Sequence, residues 1–403
     1  MTAGGGAGEG ALPAGVERDV VAMESPGARR AGAGGYPCHG CYTRPAGSRP
    51  RTAFIATHYN VDFSTHYLST HLAQRGFGFL GWNTRYRGAD HYFLLDRALV
   101  DIGAGVGWLR RHGVDTVVLL GNSGGGSLMA AYHAQSQGEV VTQGYGPPLL
   151  PEVATLPAAD LYVSVAAHPG RPEVLTAWLD PSVTDEDDPL SVDPELDLYR
   201  PGLRPPLPTG FVERYRAAQV ARNQRITEWA KAALAAARAG APSQPDRAPG
   251  PDRPPVTDRP PLTDRLFLTH RTWADPRFVD PSLDPSERPT PACYRGDPRR
   301  ANYGVAGVGN INTLRSWLSM WSLETSQCRS DLHLSALRLP TLVIQPTADT
   351  GVFPSDADRI FQAVAAGDKQ RVDLPGDHYF ADPPGARAEV AEVIAAWTRR
   401  REG

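Results

Sequence analysis

One short motif constrains the fold of this chain more than any other feature. The run Gly-Asn-Ser-Gly-Gly at 121–125 directly follows an apolar stretch at 115–121, and the small residues of 126–131 come after it. This order predicts a buried strand, a sharp turn and a helix in immediate succession. Glycine on both sides of Ser123 removes the Cβ atoms that would clash in such a turn, so the serine hydroxyl can project above the end of the strand. The first N–H groups of the helix would then point at the serine, where they can stabilise negative charge.

Short apolar runs alternate with helix-period stretches along most of the chain. Buried strands that alternate with helices form a mostly parallel sheet with helices on both faces, so the sequence predicts a doubly wound α/β fold. The predicted strands cover 52–58, 77–83, 115–121, 160–167, 340–345 and 370–374, and the predicted helices cover 63–75, 95–112, 124–137, 355–366 and 386–401.

The segment 171–337 interrupts this alternation and has the pattern of an insertion between two strands of the sheet. It contains an Ala-rich helical pattern at 211–239, a second helical pattern near 311–326 and a Pro-rich stretch at 241–265. We expect a helical cap over the carboxyl edge of the sheet, where open α/β sheets bind ligands, and a solvated linker in the Pro-rich stretch. The expected organisation is a mobile Gly/Ala-rich tail at 1–17, a core domain at 18–170 and 338–403, and the cap at 171–337.

The charge balance excludes a strongly basic surface. With 41 Lys and Arg against 44 Asp and Glu the net charge is −3, so no positive field attracts nucleic acid or an anionic membrane. Of the 41 basic residues 39 are arginine, and because they are scattered we interpret them as a compositional bias of the genome. No apolar run reaches the roughly 20 residues of a membrane span, and the first residues lack the basic start and apolar core of a signal peptide. We therefore expect a cytoplasmic protein that acts on a small molecule, with neither nucleic acid nor membrane as a partner.

The four cysteines are too few for a dense disulfide framework and fit a reducing compartment. Cys38 and Cys41 match the pattern C-x-x-C, but a zinc site needs two more ligands at similar spacing, and Cys293 and Cys328 are 35 positions apart. We expect no metal site here, and the pair is interpreted as two small, partly buried thiols.

A serine hydroxyl becomes an effective nucleophile only beside a base. Among the eleven histidines His378 is the candidate, because it lies in a polar loop between the last predicted strand and the last predicted helix. Such a loop can bring an imidazole back over the edge of the sheet. His168, which directly follows the predicted strand at 160–167, is the alternative.

The base in turn needs a carboxylate that holds its tautomer and stabilises the imidazolium. Asp349 comes directly after the predicted strand at 340–345, which places it at the same edge of the sheet as Ser123. Asp180 follows the preceding strand less closely and is the alternative acid.

The order Ser123, Asp349, His378, together with the strand–turn–helix context of the serine, resembles the α/β-hydrolase superfamily. The resemblance covers roughly 18–170 and 338–403. It implies an α/β-hydrolase fold with a cap inserted after the strand at 160–167, and it requires no cofactor.

The resemblance also implies two backbone donors for a developing oxyanion. Members of the superfamily place a His-Gly-x loop after the third strand, and the third residue of that loop donates one N–H. The matching residues here are His58, Tyr59 and Asn60, with Tyr59 where the family has glycine. The implied donors are therefore the N–H groups of Asn60 and Gly124.

These residues and the resemblance predict a serine hydrolase that cleaves a carboxylic ester, lactone or thioester through an acyl-enzyme on Ser123. Aromatic side chains suggest a small to medium apolar or cyclic substrate, and Tyr59, Trp317 and Trp321 are the candidate contacts. An acyltransferase and a C–C bond hydrolase would use the same three residues, and a non-catalytic receptor on the same fold is an alternative of another class. The sequence leaves the oligomeric state open, and a homodimer is compatible with it.

Overall fold

The computed structural model describes residues 12–27, 37–138, 140–239 and 264–402. Its strands are β1 (Val16–Met23), β2 (Cys38–Pro45), β3 (Thr52–Ala56), β4 (Gly78–Asn83), β5 (Thr116–Asn122), β6 (Leu161–Val165), β7 (Leu266–Leu268), β8 (Ile311–Thr313), β9 (Thr341–Pro346) and β10 (Lys369–Leu374). Its helices are α1 (Leu68–Ala73), α2 (Leu95–Arg111), α3 (Gly125–Gln137), α4 (Arg171–Trp178), α5 (Thr209–Arg238), α6 (Pro298–Asn302), α7 (Leu314–Ser316), α8 (Ser330–Leu334), α9 (Pro354–Ala363) and α10 (Ala386–Arg399).

Eight of these strands form one sheet in the order β1-β2-β4-β3-β5-β6-β9-β10, and β7 pairs with β8 outside it. Strand β2 runs antiparallel to β1 and β4, and the other neighbouring strands of the sheet are parallel. This mostly parallel sheet with flanking helices confirms the predicted doubly wound fold and fits the α/β-hydrolase architecture.

The central strand β5 shows how the two faces of the sheet are buried. Val117 and Leu119 belong to the hydrophobic cluster that contains residues of α2, α3 and α9. Val118 and Leu120 belong to the cluster on the other face, which contains residues of α1 and α10. Because successive side chains of a strand point to opposite faces, a continuous apolar run is what a strand buried on both sides requires.

The beginning of the sheet was predicted wrongly. Val16 starts β1, so the expected tail at 1–17 extends too far, although residues 1–11 lie outside the described part of the chain. Strand β1 is the edge of the sheet, and its side chains vary between buried and exposed, with Val20 on the solvent side. An edge strand of this kind has no continuous apolar run by which the pattern could reveal it.

The helix predicted near 311–326 was also wrong in extent. Residues 311–313 form β8, and α7 starts only after Thr313, whose side chain accepts the N–H of Ser316 at 3.1 Å while the Ser316 hydroxyl accepts the N–H of Thr313 at 2.9 Å. This capping box fixes the first turn. The helix continues as a π-helical stretch over Trp317–Trp321 and then stops.

Hydroxyl groups explain the early end of this helix. The side chain of Thr325 donates to the carbonyl oxygen of Leu318 at 2.6 Å, and that of Ser326 donates to the carbonyl oxygen of Ser319 at 2.9 Å. These bonds satisfy the last helical carbonyl groups without a further turn.

The segment between β6 and β9 carries helices α4 to α8 and the β7–β8 pair. Its assignment as a separate cap stays a prediction, and the Pro-rich linker at 241–265 lies outside the described residues up to position 263. In the described ranges no helix combines the length and hydropathy needed to cross a bilayer.

A buried ion pair fixes the turn that follows β4. Arg85 donates from Nε and Nη2 to the two carboxylate oxygens of Asp101 at 2.9 and 2.6 Å, and its backbone N–H donates to the same carboxylate at 2.9 Å. The carbonyl oxygen of Asp101 accepts the indole N–H of Trp82 at 2.9 Å. Asp101 of α2 therefore links the helix to strand β4 and to the turn that follows that strand.

We expect Asp101→Asn to lower the free energy of unfolding by about 3 kcal/mol, because the Arg85 charge then loses its partner in a buried place. Asp115→Asn makes the same change in the surface pair with Arg51, where the carboxylate is 51% exposed, and should cost less than about 1 kcal/mol. The free energy of unfolding of both variants is measured by denaturation in guanidinium chloride. Equal losses in the two variants would mean that burial does not strengthen the pair of Arg85 with Asp101.

Candidate active site

Ser123 lies in the turn between β5 and α3 and has a φ of +56°. Few residues other than glycine adopt this left-handed conformation, and it persists only where the surroundings hold it. Here the N–H of Ser123 donates to the carbonyl oxygen of Ala166 at 3.1 Å, and the Ser123 carbonyl accepts the N–H of His168 at 3.1 Å. The loop after β6 therefore stabilises the turn through these two backbone hydrogen bonds.

The glycines beside Ser123 are needed because backbone approaches the turn closely. A Cβ at Gly121 would lie 2.6 Å from the Cα of Gly126, and a Cβ at Gly125 would lie 2.3 Å from the carbonyl oxygen of Thr57. Both distances are far shorter than a carbon contact allows. The motif is thus a packing requirement of the strand–turn–helix junction.

The predicted acid and the predicted base are in contact. Nδ1 of His378 lies 2.7 Å from Oδ2 of Asp349, and both side chains are buried. The other carboxylate oxygen of Asp349 accepts the N–H groups of Gly351 at 2.9 Å and Val352 at 3.0 Å. The carboxylate is thereby fixed in its own turn, and it holds the imidazole through one nitrogen.

The other nitrogen of His378 is left available. Nε2 is buried and has no hydrogen-bond partner among the described residues, the hydroxyl of Ser123 included. Hydrogen bonds between a base and its nucleophile are often long before substrate binds. His168 connects the two residues, because its N–H binds the Ser123 carbonyl and its ring centroid lies 6.1 Å from that of His378.

The alternative base and acid have different surroundings. His168 is buried, its Nδ1 has no hydrogen-bond partner in the described part of the chain, and burial lowers its pKa well below the usual value. Asp180 pairs with Arg271 at 2.6 Å and accepts the amide of Asn302 at 2.7 Å. Neither residue is in a carboxylate–imidazole pair, so the geometry favours His378 and Asp349 over both.

Tyr294, an aromatic residue of the segment between β6 and β9, touches this pair. Its hydroxyl lies 2.9 Å from Nδ1 of His378, and the two ring centroids are 4.3 Å apart. A Cβ at Gly351 would lie 2.2 Å from Cζ of Tyr294, so the glycine makes room for the ring. The segment between β6 and β9 therefore reaches the imidazole directly.

The two residues whose backbone donors the resemblance implies are both close to the His58 ring. The N–H of Asn60 points at Nδ1 of His58 at a long 3.4 Å, and a Cβ at Gly124 would lie 2.7 Å from Nε2 of the same ring. His58 therefore packs beside both residues.

The three candidate substrate contacts fall into two groups. The rings of Tyr59 and Trp321 lie under the guanidinium of Arg171, which is 5.1 Å from the first centroid and 4.6 Å from the second. Trp317 instead donates its indole N–H to the hydroxyl of Thr227 on α5 at 3.0 Å. Arg171 is a residue of this region that sequence reasoning missed, because nothing local distinguishes it from the other arginines.

Burial lowers the pKa values of three histidines near the serine, His58, His66 and His168. The positive charge of Arg171 adds to the effect of burial at His58, whose pKa is well below the usual value. Nε2 of His66 donates to Oδ1 of Asn122, the residue before the serine, over 3.1 Å, and burial lowers the pKa of His66 to about 4. These rings are neutral at pH 7.

The depressed pKa of His66 makes the protein sensitive to acid. Between about pH 6.5 and pH 4 the unfolded chain binds this proton and the folded chain does not, so stability falls as the pH falls. We expect this ring alone to remove about 2 kcal/mol from the free energy of unfolding between pH 7 and pH 5.

The variant His66→Gln tests this expectation, because the Gln amide can donate to Asn122 but does not titrate. Its loss of stability between pH 7 and pH 5 should be about 2 kcal/mol smaller than that of the unmodified protein. His112→Gln, a change at an exposed ring, serves as the control. An unchanged pH difference in His66→Gln would argue against a neutral buried His66.

Comparisons with known proteins find distant structural similarity only. No protein-family model and no curated protein matches the chain. Among solved structures, the esterase domain of a Rhodothermus marinus protein is similar with 14% identity and a TM-score of 0.44, covering 95% of this chain and 99% of that one. Dienelactone hydrolase from Anabaena variabilis ATCC 29413 has 12% identity and a TM-score of 0.41, with 96% and 98% covered. DcsB, solved in complex with its substrate analogue, has 12% identity and a TM-score of 0.47, with 95% and 99% covered.

Similarity at this level says nothing about activity. The chain's own sheet order and its turn at Ser123 give it the α/β-hydrolase fold.

Proposed function

We propose that this chain is a serine hydrolase that cleaves a carboxylic ester, lactone or thioester. One observation carries the proposal, the 2.7 Å contact between His378 and Asp349. It occurs at the carboxyl edge of the sheet, where Ser123 occupies a strained turn, and folding alone does not require all three side chains at these positions.

In the proposed reaction the hydroxyl oxygen of Ser123 attacks the acyl carbonyl carbon, while Nε2 of His378 takes the hydroxyl proton. Asp349 holds Nδ1 and stabilises the imidazolium that forms. The imidazolium then gives its proton to the leaving alcohol or thiol, and the acyl group stays on the serine. Water attacks the acyl-enzyme with the same imidazole as base, which releases the acid and restores Ser123.

The developing oxyanion would be bound by the N–H groups of Gly124 and Asn60. Each such donor typically contributes about 3–4 kcal/mol to the stabilisation of the transition state. Gly124 directly follows the nucleophile and precedes the first turn of α3, which adds the favourable end of the helix dipole. The contact of the Asn60 N–H with His58 is long, at 3.4 Å, and would compete only weakly with an oxyanion for this donor.

Labelling with a fluorophosphonate probe, followed by peptide mapping, is the most direct test. We expect covalent modification of Ser123, and we expect Ser123→Ala to abolish both labelling and the turnover of p-nitrophenyl short-chain esters. The melting temperature of Ser123→Ala should be nearly unchanged, because the side chain makes no hydrogen bond within the described residues. A chain that is folded but never labelled would be a binding protein, and retained turnover in the variant would remove Ser123 as the nucleophile.

The assignment of the acid is tested by a pair of identical changes. Asp349→Asn should lower kcat by roughly 10⁴-fold, because the amide no longer holds the imidazole in the productive tautomer. Asp180→Asn should lower kcat far less, since Asp180 pairs with Arg271 instead of with an imidazole. Both variants are assayed at a temperature at which circular dichroism shows them folded. A larger loss of kcat in Asp180→Asn would move the acid to that position.

A further inference from the structure

Arg171 is the first residue of α4 and is almost completely buried, with 6% of its surface exposed. Its Nη1 would lie 2.8 Å from a Cβ at Gly124, the residue that follows the proposed nucleophile. The glycine therefore leaves space for a guanidinium directly beside the turn that presents Ser123. This places a permanent positive charge at the site.

The guanidinium of Arg171 has no anionic partner among the described residues. It makes no ion pair and no hydrogen bond there, Nε is buried and unsatisfied, and its contacts are the ring faces of Tyr59 and Trp321. Other buried arginines of the described ranges have polar partners. Arg222 binds Glu186, Arg271 binds Asp180, and Arg288 donates to the carbonyl oxygens of Arg277 and Asp284.

An unpaired buried cation is expensive, because removal of the charge from water is not repaid by a partner. Burial lowers the pKa of Arg171, but an arginine stays charged at any physiological pH. The neighbouring rings of His58 and His168 are neutral and offer no negative charge, and Asp349 is hydrogen-bonded to His378. The field of Asp90 raises the pKa of Arg171, but Asp90 forms no ion pair with it in the described part of the chain. The guanidinium therefore lacks a direct anionic partner, and a bound anion would supply one.

We propose that Arg171 binds a carboxylate carried by the substrate. The inference rests on the proposed hydrolase function and narrows its substrate class to acidic esters, lactones or thioesters. A guanidinium presents two parallel N–H groups that match the two oxygens of a carboxylate. The flanking rings of Tyr59 and Trp321 hold the fork in place and exclude water from it, which strengthens the pairing. The carboxylate can belong to the acyl part or to the leaving group.

Two matched pairs of substrates distinguish a carboxylate on the acyl part from a carboxylate on the leaving group. For the acyl part we use mono-p-nitrophenyl glutarate and its methyl ester, and for the leaving group 4-carboxyphenyl butyrate and its methyl ester, with background hydrolysis subtracted. We expect kcat/KM to favour the carboxylate over the methyl ester in one pair by about 10- to 100-fold. In Arg171→Met this ratio should fall by the same factor.

Arg51→Met is the matched control. Arg51 pairs with Asp115 on the surface, next to the first residue of β3 and at the opposite end of the strands from Ser123. It should keep the ratio of the unmodified enzyme, and comparison between enzymes cancels any intrinsic difference in reactivity between the two esters. Arg171→Lys keeps the charge but loses the two-pronged geometry, so it should retain part of the ratio. If Arg171→Met does not fold, the ratio measured in Arg171→Lys is the test of the proposal.

Two outcomes would overturn the inference. The first is an unmodified enzyme with no preference for the carboxylate in either pair. The second is an unchanged ratio in Arg171→Met, and if kcat/KM for the charged and the neutral ester then falls by the same factor, Arg171 acts on the oxyanion instead. Fluorophosphonate labelling of Ser123 separates these results from failure of the hydrolase proposal, because the probe carries no carboxylate. An unlabelled unmodified protein refutes the function itself.

Discussion

The parallel pairing of β9 with β10 is the interaction on which the candidate site depends. The pairing continues past the ends of the strands, because the N–H of Thr347 donates to Leu374 and the N–H of Ala348 donates to Gly376, both at 2.9 Å. The two loops are therefore held together up to Ala348, the residue before Asp349, and Gly376, two residues before His378. This pairing brings residues 29 positions apart close enough for their 2.7 Å side-chain contact.

The central part of the fold and the order of the three proposed catalytic residues could be predicted from sequence because their signals are local. A strand buried on both faces needs a continuous apolar run, and the turn at Ser123 needs glycine at fixed positions. Strand β1 gave no such signal, because an edge strand with one face in solvent looks like any polar segment. The helix near 311–326 was overestimated because its apolar periodicity says nothing about the hydroxyl groups that end it.

Tyr294 and Arg171 could not be predicted, because each reaches the site from a segment distant in sequence and follows no local pattern. The sequence reflects both residues only indirectly, through glycines at other positions that leave space for their side chains. Gly351 accommodates the ring of Tyr294, and Gly124 accommodates the guanidinium of Arg171. A glycine beside a proposed catalytic residue thus indicates that a side chain from a distant segment packs there, but it does not identify that residue.

Four histidines are buried around Ser123, and the pairing of each ring with its neighbours separates their roles. His58 and His168 lie in the field of Arg171, and burial together with positive charge keeps both rings unprotonated. His66 is held by the neutral amide of Asn122. His378 alone among the four has a carboxylate on one nitrogen, so in the proposed reaction it is the ring that would hold the proton of the serine. The same positive charge of Arg171 that disfavours protons on its neighbours favours negative charge beside Gly124. Proton transfer at His378 and anion binding at Arg171 are therefore compatible, because the positive charge proposed to develop on the imidazole and the permanent negative charge proposed for the substrate each face a fixed group of opposite sign.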